Sequence, residues 1–229
     1  MDIMNGVYHV MDVILPLPSL QFSFMKNAFL AILLLTPLLG LLGTMAVNQQ
    51  MAFFSDALGH SALTGIGLGM ILGIGNDLVS MLIFGILWAV LISLIRHTGS
   101  ASADTVISVF SSTSVAAGLL ILSRGGGFAK YSSLLIGDIL AVTRMDILYL
   151  LIALVVGVTL WMIMYNGLLE FRRVLFRSHA ALSVLFALIS GMAGLFSSYS
   201  WNTSAGAAII LYAAAIYAVS LMLRGKVRG

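Results

Sequence analysis

Asn27-Ala28-Phe29-Leu30-Ala31-Ile32-Leu33-Leu34-Leu35-Thr36-Pro37-Leu38-Leu39-Gly40-Leu41-Leu42-Gly43-Thr44-Met45-Ala46-Val47 carries no charged residue. Roughly 17 or more mostly apolar residues suffice for a helix to cross the hydrocarbon core of a bilayer. Further runs of this kind are Leu78–Ile95, Thr105–Leu122, Ile147–Tyr165, Ala180–Phe196 and Ala205–Leu223. Met51–Gly75 is also long enough but contains Asp56 and His60, and Tyr131–Thr143 contains Asp138 and is short for a span. The pattern predicts an all-α, polytopic transmembrane helical bundle with about six to seven full spans plus one short membrane segment.

Composition excludes the other solvents. Eleven Lys and Arg stand against eight Asp and Glu in 229 residues, a net charge of +3. Charged residues make up 8% and apolar residues 61% of the chain, against about 25% and 45–50% in soluble domains. So little polar surface cannot cover a water-soluble globule, and disorder needs the opposite balance. With no cysteine, disulfide scaffolds, thiolate metal sites and Cys nucleophiles are excluded. The basic residues are scattered, which argues against nucleic acid as a partner. The bilayer remains.

Residues 1–25 do not read as a signal peptide: Asp2 and Asp12 are acidic, and Pro16 and Pro18 interrupt the apolar run. They are expected to form an irregular or interfacial lead-in to a single transmembrane domain over 26–229. The polar stretches Arg96–Asp104 and Asn166–His179 are read as loops. The tail Arg224, Lys226 and Arg228 predicts a cytoplasmic C-terminus, because basic flanks stay inside. No phosphate-binding GxxxxGK[ST] run occurs, so any ATP-driven motor must be another polypeptide.

Asp56 and His60 are the strongest chemical signal. Four residues apart on a helix, they share one face, and a carboxylate with an imidazole suits a borderline divalent cation. Ionisable groups inside a span cost roughly 2.5–3.5 kcal/mol each on insertion scales and mark substrate or ion paths. The alternative is a pair that satisfies itself near a helix end. Asp138 can face a cavity or cap a short helix. Ser111 and Thr113, within Ser111-Ser112-Thr113-Ser114, can touch an ion or hydrogen-bond a neighbouring helix. Gly65, Gly67, Gly69, Gly73 and Gly75 permit close helix packing or line a narrow path. His97 and His179 fall in loops with no partner at ligand spacing, and His9 lies in the lead-in; all three are expected to meet water rather than metal.

Several stretches together resemble one family. They are Phe24-Met25-Lys26-Asn27-Ala28-Phe29-Leu30-Ala31, Leu41-Leu42-Gly43-Thr44 and Met51-Ala52-Phe53-Phe54-Ser55-Asp56-Ala57-Leu58-Gly59-His60-Ser61-Ala62-Leu63. Asp104-Thr105-Val106-Ile107-Ser108-Val109, Gly137-Asp138-Ile139-Leu140-Ala141-Val142 with Asp146, and Tyr199-Ser200-Trp201-Asn202-Thr203-Ser204-Ala205-Gly206 follow in order. Over about 22–165 and 180–223 the chain resembles the membrane permeases of bacterial zinc and manganese ABC importers. The resemblance implies a multi-pass homodimer in the bacterial plasma membrane, with cytoplasmic ABC ATPase subunits and an extracytoplasmic metal-binding protein as partners. It also implies zinc or manganese as the transported substrate, with iron as a further candidate, no permanently bound cofactor, no covalent catalysis, and Asp56 and His60 on the metal path. An iron-chelate or cobalamin-type ABC permease is an alternative, but those large substrates need no inward Asp–His pair. A self-contained carrier would call for internal repeats or a site within one chain, and no repeat is evident.

The chain departs from the family pattern in places. Asn48, Gln49 and Gln50 stand where basic residues are usual, Thr64 where a Pro is, and Asn202 and Ser204 where Asp and Pro are. The largest departure follows Leu169. The family continues with a cytoplasmic "D-x-x-x-A-x-x-x-G" stretch and two more helices, whereas this chain has Glu170-Phe171-Arg172-Arg173-Val174-Leu175-Phe176-Arg177-Ser178. This anomalous junction, residues 170–178, reads either as a join of two gene fragments, leaving a non-transporting chimeric fragment, or as a natural short loop. Leu175-Phe176-Arg177-Ser178 is also what CTC-TTC-CGA-TCT encodes, a run found in common sequencing adaptors.

Overall fold

A computed structural model describes residues 3–98, 102–125, 131, 137–168 and 173–227. Its helices are α1 (Ile3–Ile14), α2 (Ser23–Asn48), α3 (Phe54–Leu72), α4 (Asp77–His97), α5 (Ala103–Arg124), α6 (Arg144–Leu168), α7 (Arg173–Trp201) and α8 (Ala205–Val227). Short 3-10 turns lie at Pro18–Gln21 and Ile139–Ala141. No strand occurs among the described residues. Six helices are long and apolar enough to cross a membrane, over Ser23–Asn48, Asp77–His97, Ala103–Arg124, Arg144–Ile163, His179–Trp201 and Ala205–Met222. Each contains or closely matches one of the six uncharged runs, so the expected all-α transmembrane bundle is what forms.

Helix ends follow local chemistry. Asn76 caps α4, its side chain accepting from the main-chain N–H of Leu78 at 3.0 Å and Val79 at 3.3 Å. Ser102 caps α5 through the N–H of Thr105 at 3.2 Å. Gly73 ends α3 at φ 72°, a left-handed conformation that glycine adopts without strain. Asn202, at φ 51°, follows the end of α7.

The chain divides into two units, Met1–Thr44 with Asp138–Gly229, and Met45–Gly137. In the first, Tyr8, Met11, Leu20, Met25, Ala28, Phe29, Ile32 and Leu195 form the core. The lead-in is more ordered than expected: twelve of its residues form α1, whose Tyr8 and Met11, one helical turn apart, pack down on α2. Lys26 is buried and reaches Asp12 of α1 at 2.7 Å. The Tyr8 hydroxyl donates to Asn27 Oδ1, and Asn27 Nδ2 donates to the Val142 carbonyl at 3.1 Å. Helices α7 and α8 meet closely: a Cβ placed on Gly194 would lie 2.7 Å from the Ile209 Cα. By contrast, only 6% of the apolar window of α6, and the same share of that of α8, is buried inside the protein.

In the second unit α3 packs against both α4 and α5. Its glycines are why it can. A Cβ on Gly65 would lie 3.0 Å from Phe84 Cβ and from the Ser80 carbonyl, and one on Gly67 would lie 2.8 Å from Ile121 Cγ2. Gly69 faces the Ser80 side chain. These three glycines therefore serve close packing, while Gly73 and Gly75 have open space at Cβ. Helix α3, built from the Met51–Gly75 run, is not among the six membrane-length apolar helices.

One sequence expectation changes. The stretch Asn166–His179 is not a loop throughout: Asn166–Leu168 complete α6, and Arg173–His179 begin α7. Arginine is a good helix former, and Val174, Leu175 and Phe176 offer no breaker, so the helix extends past its apolar window. Residues 170–172 of the junction, and Leu169 before it, lie outside the described residues. Of Tyr131–Thr143, residues 132–136 lie outside them too; among the described remainder Ile139–Ala141 form a 3-10 turn.

Candidate functional site

Asp56 lies in the first turn of α3 and His60 one turn on. A carboxylate at that position also complements the positive end of the helix dipole. His60 Nε2 is 3.3 Å from Asp56 Oδ1, with the two side chains 32% and 59% exposed respectively. The other carboxylate oxygen, Oδ2, accepts a hydrogen bond from Ser111 Oγ of α5 at 3.0 Å. Three residues from two helices thus converge, and the carboxylate is engaged at both oxygens while its outer side stays open.

The spacing has a chemical meaning. Nitrogen and carboxylate oxygen bind zinc at roughly 2.0–2.2 Å. Two donors 3.3 Å apart then subtend an angle of about 100–105° at a shared ion, between the octahedral and tetrahedral values. The pair therefore suits adjacent positions on one cation. Among the described residues no group of three or more His, Asp or Glu could hold a metal, so any further ligands come from elsewhere.

Behind this pair sits an apolar brace. Ala57, next to Asp56, is fully buried with Ile92, Val106 and Ile107, and Trp88 and Phe110 pack on them. The Trp88 ring stacks on Phe84 at 5.0 Å and meets Phe110 at 4.8 Å. Among the described residues, the Trp88 indole N–H is buried without a hydrogen-bond partner. Sequence reasoning missed this brace: Phe84 and Trp88 are one turn apart on α4, but nothing local signals that Phe110 of α5 packs against them.

The other candidates have local partners or placements of their own. Thr113 donates to the carbonyl of Val109 in its own helix at 2.7 Å. Asp138 accepts from the Leu140 N–H at 3.0 Å and caps the 3-10 turn Ile139–Ala141, the capping role foreseen as one of its two readings. His9 is exposed on α1, His97 closes α4, and His179 is exposed on α7.

Fold and site together define a class: a multi-pass helical membrane protein with a carboxylate–imidazole pair on a helix held by two apolar neighbours. The chain belongs to the ABC 3 transport family, whose model matches residues 21–176 and 169–224. It is 25% identical to the manganese import system permease protein ScaB of Streptococcus gordonii, over 91% of this chain and 94% of that protein. It is 32% identical to the high-affinity zinc uptake system membrane protein ZnuB of Buchnera aphidicola subsp. Baizongia pistaciae, over 56% of this chain and 49% of that one. The fold is similar to that of PsaBC from Streptococcus pneumoniae in complex with Fab, at TM-score 0.72 and 22% identity, covering 94% of each chain. The ScaB alignment runs over 268 residues, longer than this whole chain of 229. The relative thus carries a stretch that has no counterpart here, and the two family matches meet at residues 169–176.

Proposed function

We propose that this chain is the membrane path of a bacterial ABC importer for a divalent metal ion, manganese or zinc. The observation that carries the reading is the Asp56–His60 pair, whose 3.3 Å separation fits two ligands on one such ion. The similarity to ScaB and ZnuB supports the same substrate class. The chain works as a homodimer in the plasma membrane, C-terminus inside, with ATP hydrolysed on separate cytoplasmic subunits and the ion delivered by an extracytoplasmic binding protein. No covalent chemistry is required of the permease. Alternating access moves the ion inward, and a coordination shell left incomplete by one chain lets the ion go, as conduction requires.

The test uses a version in which the segment carried by relatives is restored after Leu169. It is expressed with its ATPase and binding protein in a bacterium lacking its own manganese and zinc uptake. His60→Ala is expected to abolish uptake of both metals at unchanged membrane abundance. Normal uptake by the variant would remove His60 from the path.

A second reading concerns the 229-residue chain itself. The family match in two pieces meeting at 169–176 supports a join at Glu170–Ser178 across a lost segment, and the cytoplasmic helix that docks the ATPase would be lost with it. The chain as it stands is then expected to insert in the membrane without retaining its ATPase. Co-purification of the cognate ATPase with this chain would refute the join, as would a native reading frame uninterrupted across these nine residues.

A further inference from the structure

We propose that Ser111 is a positioning residue of the ion path: its hydroxyl holds Asp56 Oδ2 and so turns Oδ1 toward His60. The proposal rests on the reading of Asp56 and His60 as ion ligands. The Asp56 side chain is 59% exposed, and an exposed carboxylate on a helix surface otherwise samples several rotamers. Ser111 donates to Oδ2 at 3.0 Å, while His60 Nε2 stands 3.3 Å from Oδ1. With one oxygen tethered on α5 and the other facing the imidazole of α3, the carboxylate plane is fixed in the orientation an incoming cation needs.

The anchor is rigid because α5 is locked to α3. Ser111, Ser114 and Gly118 fall at i, i+3 and i+7, on one helical face. The Ser114 carbonyl accepts from Thr64 Oγ1 at 2.5 Å, and a Cβ on Gly118 would lie 3.0 Å from the Thr64 nitrogen. Thr113, off that face, bonds within its own helix instead. The donor is also the right kind. A hydroxyl orients the carboxylate without neutralising it, so the full negative charge stays available to the ion, whereas an ammonium or guanidinium would compete with it. Partners of this sort, one bond removed from the metal, commonly set ligand orientation and affinity.

The test is Mn2+ binding to the whole 229-residue chain in lipid nanodiscs, read from the loss of the free-ion electron paramagnetic resonance signal. Asp56→Ala is the reference. Ser111→Ala is expected to weaken binding by about ten- to a hundredfold, with Ser111→Thr restoring it to within about threefold, at unchanged helix content by circular dichroism. Wild-type binding by Ser111→Ala, with binding lost in Asp56→Ala, overturns the positioning role alone. Equal binding by wild type and Asp56→Ala overturns the ion-ligand reading, and the role of Ser111 falls with it.

Discussion

Thr64 donates its hydroxyl to the main-chain carbonyl of Ser114 at 2.5 Å, joining α3 to α5. Both residues are buried. The Ser114 carbonyl lies within a regular helix, so it keeps a second partner if the hydroxyl goes. Thr64→Val preserves shape and should cost about 1 kcal/mol, with Thr64→Ser costing less. Unfolding by a denaturing detergent added to mild micelles would measure the difference. A loss well above 2 kcal/mol would mean that the hydroxyl holds more than this one bond.

The glycines of the second unit separate packing from tolerance. At Gly65 the atoms that would crowd a Cβ are Phe84 Cβ, the Ser80 carbonyl and the Met81 Cα, at 3.0–3.1 Å, and backbone cannot swing aside. Gly65→Ala should destabilise by about 1–3 kcal/mol. Gly85 of α4 has nothing within 4 Å of its Cβ, so Gly85→Ala should be neutral or gain up to about 1 kcal/mol from helix propensity. Equal effects at the two sites, in the same unfolding assay, would contradict the packing account.

Trp88 offers a test of the cost of an unpartnered donor. Phe keeps the ring between Phe84 and Phe110 and removes the buried N–H. The lost ring volume and the relieved desolvation, about 1–3 kcal/mol, should nearly cancel. Trp88→Phe is therefore expected within about 1 kcal/mol of wild type, and Trp88→Ala at about 3 kcal/mol or more below it. If Trp88→Phe is as damaging as Trp88→Ala, the N–H has a partner after all.

Lys26 and Asp12 are unequal members of one pair: the lysine is 9% and the aspartate 52% exposed at the side chain. Removing Asp12 leaves a buried ammonium with the Tyr8 ring at 5.5 Å as its remaining support. Asp12→Ala should thus free α1 more than Lys26→Met, which removes the charge and retains an apolar stem. Limited proteolysis between α1 and α2 would rank them; faster cleavage of Lys26→Met would reverse the assignment.

Much of the fold was legible because absence of charge over a bilayer's width is a length signal needing no tertiary information. Helix α1 was not. Pro16 and Pro18 mark where it must stop, but only packing shows that Tyr8 and Met11 have a core to enter. The first turns of α7, Arg173–Ser178, were lost for a related reason: basic residues exclude a span, yet they do not exclude a helix beyond it. At the site, Asp56 and His60 were readable from their spacing along one helix. The choice between Ser111 and Thr113 was not, because the register of α5 against α3 is set by Thr64, Gly67 and Gly118 rather than by any periodicity within α5. Asp138 showed its capping chemistry in sequence, and its side chain accepts from the Leu140 N–H at the turn Ile139–Ala141.

Helices α6 and α8 each bury only 6% of their apolar windows within the protein. For most of their length their side chains are finished by whatever molecules surround them. Acyl chains, or another subunit, are then structural parts of these helices in the sense that a prosthetic group is part of a holoenzyme. A melting temperature for this chain belongs jointly to the polypeptide and its amphiphile, and should move when detergent chain length or lipid thickness changes while the sequence stays the same.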